Sequence, residues 1–261
     1  MKEHLKELYR YRALLYSITY RDISIRYKQS IMGFLWAILM PILIVLSGVV
    51  VRYAYAIASG KPLQRADIAS VAVKALPWAF FVSAIRFGCN SLSSNVNLVT
   101  KVYFPKEIFP VAAVLASLFD CFVAAGGLLI LLFAMRIGWS ANLLWIPVLV
   151  LSLVILVTGI DMIVSAASLF FRDVKYIVEV VLTFGVFFTP VFYDIRMLGK
   201  YGKWLLLNPI APIVDGLGNC VARHQSPQLI WVAYSFAIGL IALFGGYAFF
   251  KHLEPAFAES I

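Results

Sequence analysis

The sequence predicts an all-α membrane protein with six transmembrane helices, an N-terminal amphipathic interfacial helix and two short re-entrant half-helices. Hydrophobic residues make up 62% of the 261 residues, whereas soluble domains average about 45–50%. Only 13% of the residues are charged, about half the usual share. Because a soluble core cannot absorb so much apolar surface, we interpret residues 1–261 as a single transmembrane domain.

Residues 1–30 are basic and carry apolar residues at helical spacing, among them Leu8, Tyr11, Leu15 and Ile18. This pattern is typical of a helix that lies in the membrane interface with its charges in water. The alternative is a solvated basic N-terminus. The segment carries too many charges to be a secretory signal peptide.

Six apolar segments follow, each long enough or nearly long enough for the ~20 residues of a helical crossing. The predicted spans are 31–57, 76–99, 108–135, 143–171, 176–193 and 229–250, with a short mixed segment, 58–74, after the first. The second span is the most polar, with Arg86 and several serines and asparagines. So many polar groups indicate a helix that faces protein or water rather than lipid.

Residues 194–227, between the fifth and sixth spans, combine charges, prolines and glycines with apolar pieces too short to cross. We predict two re-entrant half-helices on the outer side, because irregular backbone at membrane depth is tolerated only where protein or water covers it. Six spans place both termini on one side of the membrane. The strongly basic first segment favours the cytoplasmic side of the inner membrane.

The net charge of +9 fits phospholipid headgroups better than nucleic acid, because the basic residues flank apolar runs. No phosphate-binding loop of the form G-x-x-x-x-G-K-[ST] is present, so we expect no ATP binding of the usual kind in this chain. The three cysteines are scattered and the three histidines lie outside the predicted spans. We therefore expect neither a metal site nor a cofactor here.

Two aspartates within predicted spans, Asp120 and Asp161, are candidates for function because carboxylates are costly inside a membrane. Arg86 and Asp120 each lie 12 residues from the predicted inner ends of spans two and three, about 18 Å at 1.5 Å per residue. We therefore predict a structural intramembrane ion pair between Arg86 and Asp120. An intramembrane aspartyl protease that uses Asp120 and Asp161 is the alternative, and the role of Asp161 stays open.

Five short segments follow one another along nearly the whole chain. They read RYKQSIMGFLWA (residues 26–37, with Pro41 beyond), VYFPKEIFP (102–110), FFRDVKY (170–176), TPVFY (189–193) and NPIAP (208–212). In this order they resemble the ABC-2 type permeases that export polysaccharides. Met32-Gly33 stands where that family has Leu-Gly, which is a conservative change.

The resemblance, nearest to O-antigen exporters, implies the permease subunit of an ATP-driven ABC exporter in lipopolysaccharide biosynthesis. Such a permease is not itself an enzyme: it forms a homodimer and works with two copies of an ABC ATPase subunit, which binds ATP and Mg²⁺. The implied substrate is an undecaprenyl-linked polysaccharide. A teichoic acid or capsule exporter and an ABC-2 small-molecule exporter are alternatives.

The resemblance also gives three groups of candidate site residues. A compact cytoplasmic turn is expected to couple to the ATPase and comprises Tyr103, Phe104, Pro105, Lys106 and Glu107. Basic residues at the start of the first span are expected to attract the lipid pyrophosphate, or to anchor the chain on anionic lipid: Arg21, Arg26 and Lys28. Aromatic residues are expected to line the polymer channel, unless they only pack: Phe34, Trp36, Phe184, Phe187, Phe188 and Tyr193.

Overall fold

The computed structural model describes residues 10–28, 35–60 and 62–257; the side chains of residues 36–38, 40 and 41 lie outside this description. The described residues form helices and turns, and none of them lies in a β-strand. The α-helices are α1 (Arg12–Lys28), α2 (Leu35–Ser59), α3 (Arg65–Ser91), α4 (Val96–Lys101), α5 (Ile108–Ala134), α6 (Ile146–Phe170), α7 (Asp173–Gly185), α8 (Gly202–Leu205), α9 (Ala211–Ala222) and α10 (Leu229–Leu253).

Five helices of the described chain are long and apolar enough to cross a membrane. They are Ile42–Ser59 within α2, the whole of α3 and α5, Ala141–Phe170 including α6, and Leu229–Ala256 including α10. The all-α prediction is confirmed. The predicted third, fourth and sixth spans agree closely with α5, α6 and α10, because each is a long, predominantly apolar segment with polar residues beyond its ends.

Helix α3 begins and ends earlier than the predicted second span, 76–99. It covers Arg65–Ser91, so its first turns carry Asp67 and Lys74, charges that sequence reasoning placed in a loop. Both charges are paired in the folded chain, which allows the helix to contain them. At the other end, the Asn95 side chain donates to the carbonyl of the last helical residue (2.7 Å), and local bonds of this kind compete with the helix.

Helix α7 is shorter than the predicted fifth span, 176–193. It ends at Gly185 and continues only as the 3₁₀ turn Val186–Phe188. Thr189 then has an extended backbone, φ −123° and ψ 134°, as expected for a residue that precedes a proline. At 1.5 Å per residue the 13 residues of α7 extend about 20 Å, less than the ~30 Å hydrocarbon core.

The region 194–227 contains a 3₁₀ segment, Ile195–Tyr201, and the short helices α8 and α9. Helix α9 is mostly buried and packs on α3 and α6. Two short helices therefore stand where two half-helices were predicted.

Buried apolar side chains form two clusters. The smaller one joins α1, α5, α6 and α10 through Ile18, Ile108, Met162 and Phe250. The larger one joins α3, α5, α6 and α9. We call the end of the bundle with the smaller cluster the Ile108 end and the opposite end the Ala134 end.

Helices α6 and α10 are in backbone contact. A Cβ atom built on Gly159 would overlap the backbone of Ala242, and one built on Gly246 would overlap the carbonyl oxygen of Gly159. Small residues at such crossings let helix backbones approach closely within a membrane. By contrast, a Cβ on Gly126 in α5 meets nothing within 4 Å.

Gly159→Ala is expected to lower the free energy of unfolding by about 1–3 kcal/mol, because the new methyl group has no space and the opposing atoms are backbone. The measurement is the thermal unfolding midpoint of the purified chain in detergent. Gly126→Ala is the matched control and should be neutral or slightly stabilising, since alanine favours helix. Equal midpoints for the two variants would contradict the close contact.

Candidate functional site

The loop between α4 and α5 holds the five residues predicted to couple to an ATPase. Tyr103 is 97% exposed, whereas Phe104, Pro105 and Glu107 are buried. The Phe104 ring packs against Phe109 with 5.5 Å between the ring centroids. Of these five residues, Tyr103 is the side chain that projects, whereas Phe104, Pro105 and Glu107 pack within the protein.

Charged groups fasten this loop to the end of α10. The Lys251 ammonium lies 3.1 Å from the carboxylate of Glu107 and 2.8 Å from that of Glu254. Glu254 also accepts a hydrogen bond from the backbone N–H of Lys106 (3.2 Å). These contacts join the base of the loop to the end of α10, and breaking the pair with Lys251 would leave the buried Glu107 carboxylate uncompensated.

Arg26, one of the three basic residues predicted at the lipid pyrophosphate, is engaged within the protein. Its Nη1 lies 2.5 Å from the Asp120 carboxylate, and the phenol of Tyr27 donates to the same carboxylate. The guanidinium also lies 3.6 Å from the centroid of the Phe87 ring. These contacts leave Arg26 little freedom to meet a lipid headgroup.

The other two basic residues are more accessible. Arg21 is paired with the adjacent Asp22 at 2.8 Å, and Lys28 is exposed at the end of α1. Asp120 lies 12 residues beyond the start of α5, about 18 Å at 1.5 Å per residue. Helix α1 packs on α5, and its Arg26 side chain reaches Asp120; the position of α1 in the membrane interface stays a prediction.

The predicted pair between Arg86 and Asp120 is wrong. Nε and Nη2 of Arg86 donate to the two carboxylate oxygens of Glu179 at 2.7 and 2.8 Å, while Asp120 binds Arg26. Sequence reasoning placed Arg86 and Asp120 at one depth, but depth does not fix the side of the helix from which a residue points. The prediction that α1 lies at the membrane surface also excluded Arg26 as a partner for Asp120.

The pair between Arg86 and Glu179 is half exposed, at 47% and 48%. Charged side chains in membrane-spanning segments almost always face protein or a water-filled cavity. Glu179 lies on α7, and the exposed rings of Phe184, Phe187 and Phe188 project from α7 and from the 3₁₀ turn that follows it. We call these five residues the α7 surface.

Three further residues were predicted at the polymer channel: Tyr193, Phe34 and Trp36. The Tyr193 hydroxyl donates to the backbone carbonyl of Phe187 at 2.8 Å, so this side chain also holds the turn after α7. Phe34 lies outside the described residues, and so does the side chain of Trp36.

At the Ala134 end, ion pairs that the sequence analysis missed converge on Asp194. Its carboxylate lies 2.7 Å from Arg52 and 2.9 Å from Lys74 and also contacts Arg223. Lys74, which is 0% exposed, also lies 2.9 Å from Asp215. We call these five residues the Asp194 network. The sequence shows that these charges flank apolar segments, but it does not show which of them pair with one another.

The Asp194 carboxyl is ionised in this setting. Burial alone would raise its pKa, but the Lys74 ammonium and the Arg52 guanidinium outweigh burial and hold the pKa well below its ordinary value. Because the pKa of Asp194 is lower in the folded chain than in the unfolded chain, its ionised carboxylate stabilises the fold at any pH above the unfolded-state pKa. This stabilisation is lost only as the pH falls towards the folded-state pKa. The stabilisation is therefore fully present at neutral pH.

Asp161 is fully buried, and neither of its carboxylate oxygens has a hydrogen-bond partner in the described structure. A Cβ built on Gly88 would overlap this carboxyl group, so the glycine makes room for it. Asp120, in contrast, is held by Arg26 and Tyr27. Asp161 makes no hydrogen bond to Asp120 or to any other described group, which gives the aspartyl protease alternative no support.

The arrangement as a whole describes a membrane protein with a projecting aromatic at one end and a charged network at the other. A family model described as ABC-2 type transporter matches residues 13–221. The chain belongs to this family of integral membrane transport proteins.

Curated relatives match the chain over nearly its whole length. An O-antigen export system permease protein RfbA from Myxococcus xanthus is 28% identical over 264 aligned residues, covering 98% of each chain. Two proteins of the same name from Klebsiella pneumoniae are 26% and 25% identical over 253 and 256 residues, each covering 94% of both chains.

Arg26→Met is expected to lower the free energy of unfolding by about 2 kcal/mol, because it leaves the Asp120 carboxylate without its guanidinium. Thermal unfolding in detergent measures this. Arg21→Met is the matched control and should change the free energy by no more than about 0.5 kcal/mol, since its pair is between neighbours and more exposed. In a double-mutant cycle Asp120→Asn should couple to Arg26→Met and not to Arg86→Met; the reverse would restore the discarded pair.

Lys74→Met is expected to lower the free energy of unfolding by about 3–5 kcal/mol, because it leaves the Asp215 carboxylate without a cation and removes one of the three cations at Asp194. Arg65→Gln removes an exposed cation from the same helix and should have an effect within about 0.5 kcal/mol. The readout is the unfolding midpoint of both purified variants at pH 7. A Lys74→Met protein as stable as the parent would show that Asp194 and Asp215 do not depend on this ammonium.

Proposed function

We propose that this chain is the permease subunit of an ATP-driven ABC exporter that moves O-antigen-like, lipid-linked polysaccharide across the inner membrane. The observation that carries the proposal is the similarity to three O-antigen export permeases over almost the full length of both partners. Membership of the ABC-2 type transporter family supports transport rather than catalysis by this chain.

We infer that two copies of a separate ABC ATPase subunit dock at the Ile108 end, and that ATP and Mg²⁺ bind to those subunits. Tyr103 supports this inference, because it is almost fully exposed on a loop whose base is fixed by Phe104 and by the contact between Glu107 and Lys251. An aromatic side chain on a rigid base loses little conformational entropy when it enters a pocket, and such residues dominate many interfaces.

The α7 surface is proposed to face a second copy of this chain, with the polymer passing between the two copies. The half-exposed pair of Arg86 and Glu179 supports this arrangement, because hydrocarbon is a poor neighbour for such charges. The exposed phenylalanine rings offer flat apolar faces to the C–H faces of sugar rings, which gives contact without a fixed register. Arg21 and Lys28 are proposed to meet the undecaprenyl pyrophosphate.

The same function implies a topology of six crossings with both termini in the cytoplasm. Helix α7 with its 3₁₀ turn is proposed as a short fifth crossing, which is acceptable where protein or water covers its backbone. Helices α8 and α9 are proposed as outer half-helices that close the path between export cycles. Residues 1–261 then form one ABC-2 transmembrane domain.

Export is tested in cells that lack only this chain. These cells should accumulate lipid-linked polysaccharide inside and lose it from the surface, and a plasmid copy of the chain should restore surface polymer. The measurement is extraction and gel analysis of the intracellular and the surface polysaccharide. The retained glycan identifies the substrate: a teichoic acid or a capsule polymer would replace the O-antigen assignment. Unchanged surface glycan would contradict polysaccharide export altogether.

Tyr103→Ala is expected to lower permease-dependent ATP hydrolysis by about tenfold or more, as loss of an interface anchor does. The assay uses this chain co-purified with its ATPase subunit and reconstituted in vesicles. Tyr201→Ala is the matched control, because Tyr201 is also exposed but is the last residue of the 3₁₀ segment Ile195–Tyr201 in the region 194–227, outside the coupling loop. Equal hydrolysis in both variants would contradict coupling through Tyr103, and purification without any ATPase would contradict the exporter itself.

A further inference from the structure

A groove on the side of the bundle has a volume of about 670 Å³ and is lined by residues of α3, α5, α6 and α9 and the turn after α5. This volume lies within the ~300–1,000 Å³ range of ligand pockets. Its buried floor includes Val73, Phe80, Leu153 and Leu217. The described lining contains no charged or amide side chain and no residue of α7, so the groove is apolar and separate from the α7 surface.

The rim of the groove belongs to the membrane-facing side of α5. Ile130 and Phe133 are 74% and 82% exposed, and both line the groove. Unlike the exposed rings beside the charged pair of Arg86 and Glu179, these two side chains have no charged residue with them in the lining, and exposed apolar groups of this kind on a membrane-spanning helix suit contact with lipid hydrocarbon. The groove is therefore continuous with the lipid-facing surface.

The groove has the length of one membrane leaflet. Along α5 its lining begins at Leu118 and continues to Phe133 near the Ala134 end. Leu118 lies about 15 Å from Ile108 at 1.5 Å per residue, which is the middle of a ~30 Å hydrocarbon core. The lining thus runs from mid-membrane to the end of the helix.

A cation and an indole mark the open end. Arg136, next to the lining residue Ile137, is exposed, and its guanidinium is complementary to a phosphate. Trp139 lines the groove and is also exposed, as is typical of tryptophan at the membrane–water boundary.

We propose that the groove binds an acyl chain of a phospholipid from the leaflet at the Ala134 end, with the phosphate of its headgroup at Arg136. An empty apolar cavity forfeits dispersion contacts, and acyl chains are the hydrocarbon in contact with the rim. The length of one leaflet fits an acyl chain rather than a long polyprenyl tail.

Occupancy of the groove also bears on the Asp194 network. Val73 on the floor precedes Lys74, and Leu217 lies on α9 two residues after Asp215. A bound acyl chain therefore packs against the two helices that the network joins. This inference concerns the bilayer and stands independently of the exported substrate.

Photo-crosslinking tests the site. The full chain is reconstituted in vesicles of phosphatidylethanolamine and phosphatidylglycerol that include a phosphatidylglycerol with a diazirine on one acyl chain, and adducts are mapped by mass spectrometry. Ala125→Phe, which fills the groove, should lower adducts on residues 118–133 by about tenfold. Ala237→Phe, at an exposed alanine of α10 outside the lining, should leave them unchanged.

Arg136→Gln provides a second variant that leaves the groove itself intact. It should lower the adduct yield by about threefold at limiting labelled lipid, through loss of the phosphate contact. Labelling spread evenly over α5 and α10, or labelling unaffected by Ala125→Phe, would overturn the proposal. Displacement of the label by polyprenyl phosphate, at concentrations where unlabelled phosphatidylglycerol has no effect, would assign the groove to the carrier lipid and overturn the phospholipid assignment.

Discussion

The buried carboxylate of Asp194 is the point on which the Ala134 end of the molecule depends. It lies in a short connection after α7, outside any long helix, yet cations from α2, α3 and the end of α9 reach it. Each of these charges would be costly inside the protein alone and becomes acceptable only when the others are present. The short helices after α7 have too little apolar length to stay in a membrane by themselves. The ion pairs add to the apolar packing of α9 against α3 and α6 and tie the connection after α7 to the long helices.

The two ends of the bundle use charge in different ways. At the Ala134 end, ion pairs join elements that are far apart in sequence and leave the polar side chains inside. At the Ile108 end, Lys251 fixes a loop so that one side chain, Tyr103, remains outside. A closed network suits a gate that opens rarely, and a rigid loop with one projecting ring suits contact with a second subunit. In the proposed exporter, the Ile108 end would contact the ATPase and the Ala134 end would close the polymer path.

The sequence predicted the long helices well and the contacts between them poorly, for a physical reason. Helices α5, α6 and α10 are long apolar segments with at most one aspartate inside each, and the cost of leaving hydrocarbon fixes their ends. Partner choice depends on rotation about the helix axis and on which helices are neighbours, and hydropathy reports neither. Arg86 was therefore assigned the wrong carboxylate. The charges near the start of α3 were taken as loop residues, because a buried Lys74 makes sense only once its partners are known.

The candidate coupling loop shows the same division. Its turn residues and aromatic content marked it as a contact segment, but only the fold distinguishes the exposed Tyr103 from the buried Phe104 and Glu107.

The backbone contact between Gly159 and Gly246 has a mechanical consequence for how such a protein can change shape. Because the two backbones already touch, α6 and α10 cannot come closer, and we expect them to move together in the proposed transport cycle. We then expect the displacement of that cycle in helices outside this pair, such as the less buried α2 and α7.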